Sequence, residues 1–114
     1  MHDCRMPVLT QQELPLSNIA RELVGADHDV DVCIIFVDAP PGRGPSLHRH
    51  PYAEVFIVQE GTGTFVLGDE ERELGPGEIA IAPAGMPHAF TNTGDGPLRQ
   101  IDIHLSRNFD TEWL

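Results

Sequence analysis

The stretch PSLHRHPYAEVFIVQEG, Pro45–Gly61, holds three side chains able to ligate a metal, His48, His50 and Glu54, within seven residues. A β-strand advances about 3.3 Å per residue. His48 and His50, two apart on one strand, share a face with Cα atoms roughly 6.6 Å apart, so both imidazoles can reach one ion. On a straight strand Glu54 would lie roughly 13 Å beyond His50, which is too far. The chain therefore has to reverse between them. Pro51-Tyr52-Ala53 is the expected turn, because proline fixes φ and donates no ladder hydrogen bond. Glu54 then opens an antiparallel strand and points back at the histidines, with Phe56 and Val58 on its inward face.

The rest of the chain has the same texture. DVCIIFVD (31–38) is rich in β-branched residues and is followed by a Pro/Gly loop. AEVFIVQ (53–59), TFVLG (64–68), GEIAIAP (77–83), HAFTN (88–92) and LRQIDIHL (98–105) are short apolar pieces separated by Gly/Pro turns. Short strands at roughly 8–12-residue spacing indicate an all-β sandwich or barrel. The acidic run DEERE (69–73) reads as a solvated hairpin tip. SNIARELVG (17–25) fits a short helix or an edge strand. The first 15 residues read as an arm that packs late or weakly, and residues 1–114 as one domain with one modest core.

Composition excludes several chemistries. The chain has 114 residues, a net charge of -11, seven arginines and no lysine. An acidic surface repels nucleic acid and anionic membranes, so neither is an expected partner. Without lysine no side-chain amine is present to form a Schiff base. No apolar run approaches the roughly 18 residues of a membrane helix, the N-terminus lacks a secretory layout, and the expected compartment is the cytoplasm. Cys4 and Cys33 do not form a disulfide framework, and Cys33 reads as a buried thiol. His2 and His28 read as surface residues.

A second segment repeats the form of the first. GEIAIAPAGMPHAFTN (77–92) gives a strand, a Pro-Ala-Gly turn and then His88 opening another strand, a natural fourth ligand. Phe90 follows on the same face. Taken together, the two segments resemble the motifs of the cupin family. The first is Gly42, five residues, His48-Arg49-His50, three residues, Glu54, six residues, Gly61. The second is Gly77, five residues, Pro83-Ala84-Gly85, two residues, His88, three residues, Asn92. All ten fixed positions agree, with fifteen residues between the motifs. The resemblance implies a double-stranded β-helix (a jelly-roll barrel) with a metal in its mouth, held by His48, His50, Glu54 and His88. Three neutral imidazoles and a carboxylate suit one divalent transition metal, Mn, Fe, Zn, Ni or Co, without selecting among them.

Other residues follow from these. In RQIDIHL, Gln100, Asp102 and His104 share one face. If that face points inward, His104 is a candidate general base near the metal. Phe56, Val58, Phe65, Ile81 and Phe90 are the candidate apolar wall of a substrate pocket. Arg43 and Arg49 lie near the expected mouth. Asn92 is read as holding the turn near TGDG. The expected function is that of a metalloenzyme acting on a small organic molecule, most simply dioxygenase-type oxidation of a chelating enol, catechol or diketone. A non-catalytic binding or sensing module and a metal-dependent isomerase or lyase are the alternatives. A homodimer packed through the outward face at Val55 and Ile57 is expected.

Overall fold

The computed structural model describes residues 6–114, and the expectations for His2 and Cys4 fall outside that range. Among the described residues, eleven strands form two antiparallel sheets. They are β1 (Leu16–Ser17), β2 (Ala20–Leu23), β3 (Cys33–Ala39), β4 (His48–Arg49), β5 (Glu54–Glu60), β6 (Gly63–Leu67), β7 (Glu70–Leu74), β8 (Ile79–Ala82), β9 (His88–Asn92), β10 (Leu98–His104) and β11 (Glu112–Trp113). The larger sheet runs β1-β2-β3-β10-β5-β8 and the smaller β11-β4-β9-β6-β7. The all-β expectation holds. Helical structure among the described residues is limited to 3-10 turns at Gln11–Glu13 and Gly25–His28. None is long and apolar enough to cross a membrane.

Two sequence readings sharpen. The ambiguous segment at 17–25 is the short strand β2 followed by a 3-10 turn. The DEERE run is mostly strand, not tip: β7 pairs with β6 in register Leu67↔Glu70. The tip is only Gly68-Asp69, with Gly68 at φ 63 as a two-residue hairpin requires. Glu70–Glu73 are exposed, as charged residues on an edge strand should be.

The apolar core fills one end of the barrel, around Phe56, Val58, Phe65, Phe90 and Leu98. Phe56 and Phe65 meet edge-to-face with centroids 5.7 Å apart. Each such side chain contributes about 1.5–3 kcal/mol by leaving water. Cys33 is fully buried, as expected, and its sulfur accepts the Gly25 N–H.

The loop that leads to His48 is pinned from below. Asn92, at the end of β9, donates to the carbonyls of Ala39 and Gly96 at 2.8 Å and accepts the Gly94 N–H. Its backbone exchanges hydrogen bonds with Gly42 and Arg43. This is the turn-holding role its position suggested. At Gly44 a Cβ would lie 2.0 Å from the Phe90 carbonyl oxygen, so only glycine lets the loop pass.

The larger sheet has an unusual outer face. Register aligns Leu23, Ile34, Ile103, Val55 and Ile81 across five strands, and Arg21, Phe36, Ile101, Ile57 and Ile79 beside them. Only Arg21 among these ten is polar. Ile79 and Ile81 are 59% and 61% exposed.

Candidate metal centre

The polar residues lie inside. His48, His50, Glu54, His88 and His104 are all buried, with exposures of 6% or less. His48 on β4 stands directly across from His88 on β9. His50 follows β4, and its carbonyl accepts the N–H of Gly85 at 2.7 Å, which ties the two motif turns together. The chain then reverses through Pro51–Ala53, and β5 begins at Glu54 as the spacing demanded. One ligand atom from each of His48, His50, Glu54 and His88 lies within 4.8 Å of all the others. Donors on one ion with bonds of about 2.1 Å are about 3.0 Å apart when adjacent and about 4.2 Å when opposite. Small side-chain adjustments close the difference.

The hydrogen bonds decide which nitrogens face the centre. Nδ1 of His48 lies 2.7 Å from the Ser46 carbonyl oxygen, Nδ1 of His50 2.8 Å from that of Asp110, and Nδ1 of His88 2.9 Å from that of Met86. A carbonyl only accepts, so each Nδ1 carries the proton, and in the neutral ring each Nε2 is a bare lone pair. Glu54 Oε1 lies 3.1 Å from Nε2 of both His50 and His88. Two lone pairs do not rest against each other without a cation between them, whether a proton or a metal ion. At His50 the contact has the distance of an ion pair but not the direction of a hydrogen bond, and the buried Nε2 is left without a hydrogen-bond partner. That orphaned donor atom, with hard and borderline ligands around it, fits a divalent transition metal.

Electrostatics agree. Burial would raise the Glu54 carboxyl, but contacts with His104, His50 and His88 outweigh it and hold the group below the usual carboxylate range. Burial pulls the His48 imidazole down toward its neutral form. Burial also opposes charge on His50, but attraction to Glu54 and the Asp110 carbonyl prevails and raises it, even though no aligned hydrogen bond to Glu54 forms.

His104 points inward from β10. Its Nε2 lies 3.1 Å from Glu54 Oε2 and its Nδ1 2.7 Å from the Tyr52 hydroxyl. The contact with the carboxylate has the distance of an ion pair, and Nδ1 shares a hydrogen bond with the tyrosine hydroxyl. His104 thus holds the second oxygen of Glu54. Tyr52 also stacks on His50, with centroids 4.9 Å apart and planes 9° off parallel, and burial pushes its hydroxyl up to about 12. Asp102 is buried beside this set and accepts from Gln100 at 2.8 Å. Burial, then the charge of Glu54, holds its carboxyl well above the usual range.

The centre opens into a cavity of about 390 Å³. Of the five expected wall residues, Phe56 and Phe90 line it. Val58 and Phe65 are buried in the core and do not reach it. Ile81 is a correction. Strand β8 alternates with its alanines inward, Ala80 opposite Phe56 and Ala82 opposite Glu54, which turns Ile81 to the outer face. The mouth is instead framed by the C-terminal segment, which supplies Phe109, Thr111 and Trp113. Arg43 and Arg49 are exposed and do not line the cavity, but their partners are at its rim: Asn18 for Arg43 and Glu112, next to Thr111 and Trp113, for Arg49. The exposed His28 is far from the site in sequence and in burial. Tyr52, Asp110, Phe109 and Trp113 carried no motif signal. The only hint at Tyr52 was a lone tyrosine in the reversing turn.

A family model described as a cupin domain matches residues 35–104. The chain belongs to the cupin family. This cupin is 39% identical over 63 residues to "Dimethylsulfoniopropionate lyase DddQ" of Ruegeria pomeroyi, covering 54% of this chain and 31% of that protein. It is 33% identical over 64 residues to "5-nitrosalicylic acid 1,2-dioxygenase" of Bradyrhizobium, covering 56% and 31%. The chain thus spans about a third of these relatives' length. A solved double-stranded β-helix protein from Klebsiella pneumoniae superposes with a TM-score of 0.76 at 23% identity, covering 95% of this cupin and 96% of that chain. The double-stranded β-helix expected from the motifs is therefore the fold.

Proposed function

We propose that this cupin is a metalloenzyme that acts on a small organic molecule, and that dioxygenase-type oxidation of a chelating enol, catechol or diketone is the reaction its site suits best. The observation that supports this most is the orphaned Nε2 of His50 within a four-donor set that opens onto an aromatic-walled cavity. His48, His50, Glu54 and His88 would hold the ion. Four donors on an octahedral ion leave two positions for other ligands, the mark of a catalytic rather than a structural site. Bound there, iron or manganese would supply Lewis acidity and one-electron chemistry.

The chain's own residues do the rest. The three backbone carbonyls fix each imidazole in the tautomer that presents Nε2. His104 holds Glu54 in place through Oε2, and Tyr52 holds His104. Phe56, Phe90, Phe109 and Trp113 exclude water from the reacting face and orient an apolar body. The Tyr52–His104 pair also suits proton transfer next to a Lewis acid, which favours isomerase or lyase chemistry as the second reading. Oxygen uptake by the Fe(II)-loaded protein with a panel of catechols, enols and diketones tests the first. Substrate-dependent uptake is expected. A panel member that raises the melting temperature and is recovered unchanged would make the protein a binding module.

We propose also that two copies pack through the outer face of the larger sheet. An apolar sheet face five strands wide spans about 24 Å at a strand spacing near 4.8 Å. Such a face forms the dry centre of an interface whose polar rim supplies the remaining area. The mixed-sign cluster of Asp38, Arg99 and Glu60 at its border suits a self-complementary rim.

A further inference from the structure

The census of charge around the cavity is one-sided. Three carboxyl side chains line it, Glu22, Glu54 and Asp102, the last held in its neutral form by burial, and no arginine does. Lysine is absent from the chain. The described arginines nearest the mouth are already paired: Arg21 donates to the Leu14 carbonyl and Arg49 to Glu112 at 2.6 Å, while Arg43 donates at 2.7 Å to Asn18 on the cavity rim. Arg99 and Arg107 form ion pairs away from the cavity, and Arg72 lies on the exposed strand β7. Among the described residues no arginine lines the cavity, so a bound divalent ion is the main cation an anionic ligand would meet there.

From this we infer that the cavity selects a small chelator with an apolar or aromatic body and no more than one negative charge, and that Glu22 enforces the limit. The inference rests on the metal reading above. A divalent ion with Glu54 carries one net positive charge. A monoanionic chelate, such as an enolate or a singly deprotonated catechol, cancels it. A dianion such as a small dicarboxylate leaves a surplus negative charge in a cavity walled by Phe56, Phe90, Phe109 and Trp113. There it faces Glu22 with no guanidinium to pair it, and a poorly solvated, unpaired charge is among the costliest things a protein site can hold. Sites that take small dianions meet them with forked arginine contacts, which this cavity lacks. Glu22 lies on β2 and lines the cavity half-buried, and burial raises its carboxyl more than attraction to His104 lowers it. Its cross-strand neighbour is the apolar Ile35, itself part of the wall.

The test uses the full chain loaded with zinc(II), which runs no redox chemistry. Metal content is measured first by plasma mass spectrometry. Titration calorimetry then compares tropolone, a monoanionic two-oxygen chelator, with oxalate, a dianionic one, each normalised to its own affinity for aqueous zinc. The normalised preference for tropolone is expected to exceed tenfold. Glu22→Gln is expected to shift the ratio toward oxalate at least threefold while leaving the melting temperature within a few degrees. A loaded protein that prefers oxalate, or a Glu22→Gln variant with an unchanged ratio, overturns the charge limit and leaves the metal reading standing. A chain that takes up no zinc overturns both.

Discussion

Both faces of the larger sheet depart from the usual rule, the inner by a buried polar group set into its apolar core and the outer by being almost wholly apolar. A two-layer antiparallel protein normally turns apolar residues inward and polar ones to water. Here the inner face carries Glu54, Gln100, Asp102 and His104, all buried, among apolar residues such as Val37, Phe56 and Val58, while the outer face carries Leu23, Ile34, Phe36, Val55, Ile57, Ile79, Ile81, Ile101 and Ile103. Each face states a need. Most of the inner polar groups meet one another, Gln100 with Asp102, His104 with Glu54 and Tyr52 with His104, while the buried Gln100 Oε1 and His50 Nε2 are left without a hydrogen-bond partner. Gln100 and Asp102 lie beside Val37, Val58 and Phe56 of the apolar core, whose phenylalanine cluster supplies the stability. The outer face satisfies nothing by itself and reads as a sheet meant to be covered on both sides.

Breaking the apolar core should have the largest effect. Phe65→Ala removes a fully buried ring and should cost about 3–5 kcal/mol in urea unfolding, yet the folded fraction should bind metal as before. Comparable loss of metal affinity would mean that the core and the metal centre are not separable. On the outer face, Ile81→Glu alters a side chain already 61% exposed, so folding should survive. Light scattering should show the wild type at twice the chain mass at micromolar concentration and the variant at the monomer mass. A monomeric wild type would remove the reason given for the apolar face.

Smaller changes sharpen the account of the inner face. Tyr52→Phe deletes the hydroxyl that bonds His104 at 2.7 Å. Metal affinity should fall roughly tenfold, as for other partners that orient a ligand, with little change in melting temperature. Asp102→Asn should be mildly stabilising at neutral pH. Burial raises the folded-state pKa of Asp102, so its contribution is complete below the unfolded value of about 3.9 and is lost as pH rises through the folded value. The asparagine variant should melt roughly 2–5 °C higher near pH 7, and the gap should close below about pH 4. A gap independent of pH would show that Asp102 is not held neutral.

The inner face was legible because its ligands sit in spaced turns. His-x-His, a forced reversal and Glu54 follow from strand geometry alone, and the second motif supplies His88. Parity along β10 put Gln100, Asp102 and His104 on one face, and the structure turns that face inward. Ile81 was misread because bulk suggested burial. Only the register with β5, which pairs Ala80 with Phe56, shows that β8 turns its small residues inward to make room. The C-terminal segment was illegible for a different reason. Phe109, Asp110, Thr111 and Trp113 have no strand pattern of their own, and they reach His50 and the mouth across about sixty residues of chain, as in the Asp110 carbonyl that fixes His50. Tyr52 looked like turn material, because its partner His104 lies 52 residues away.

The measurement that tests the central claim most directly is the metal content of the purified protein by plasma mass spectrometry, with His48→Ala and His88→Ala alongside. The account predicts close to one iron or manganese per chain in the wild type and loss of it in both variants, with circular dichroism showing all three folded. A folded wild type that holds no metal, even after reconstitution with Fe(II) and Mn(II), would contradict it.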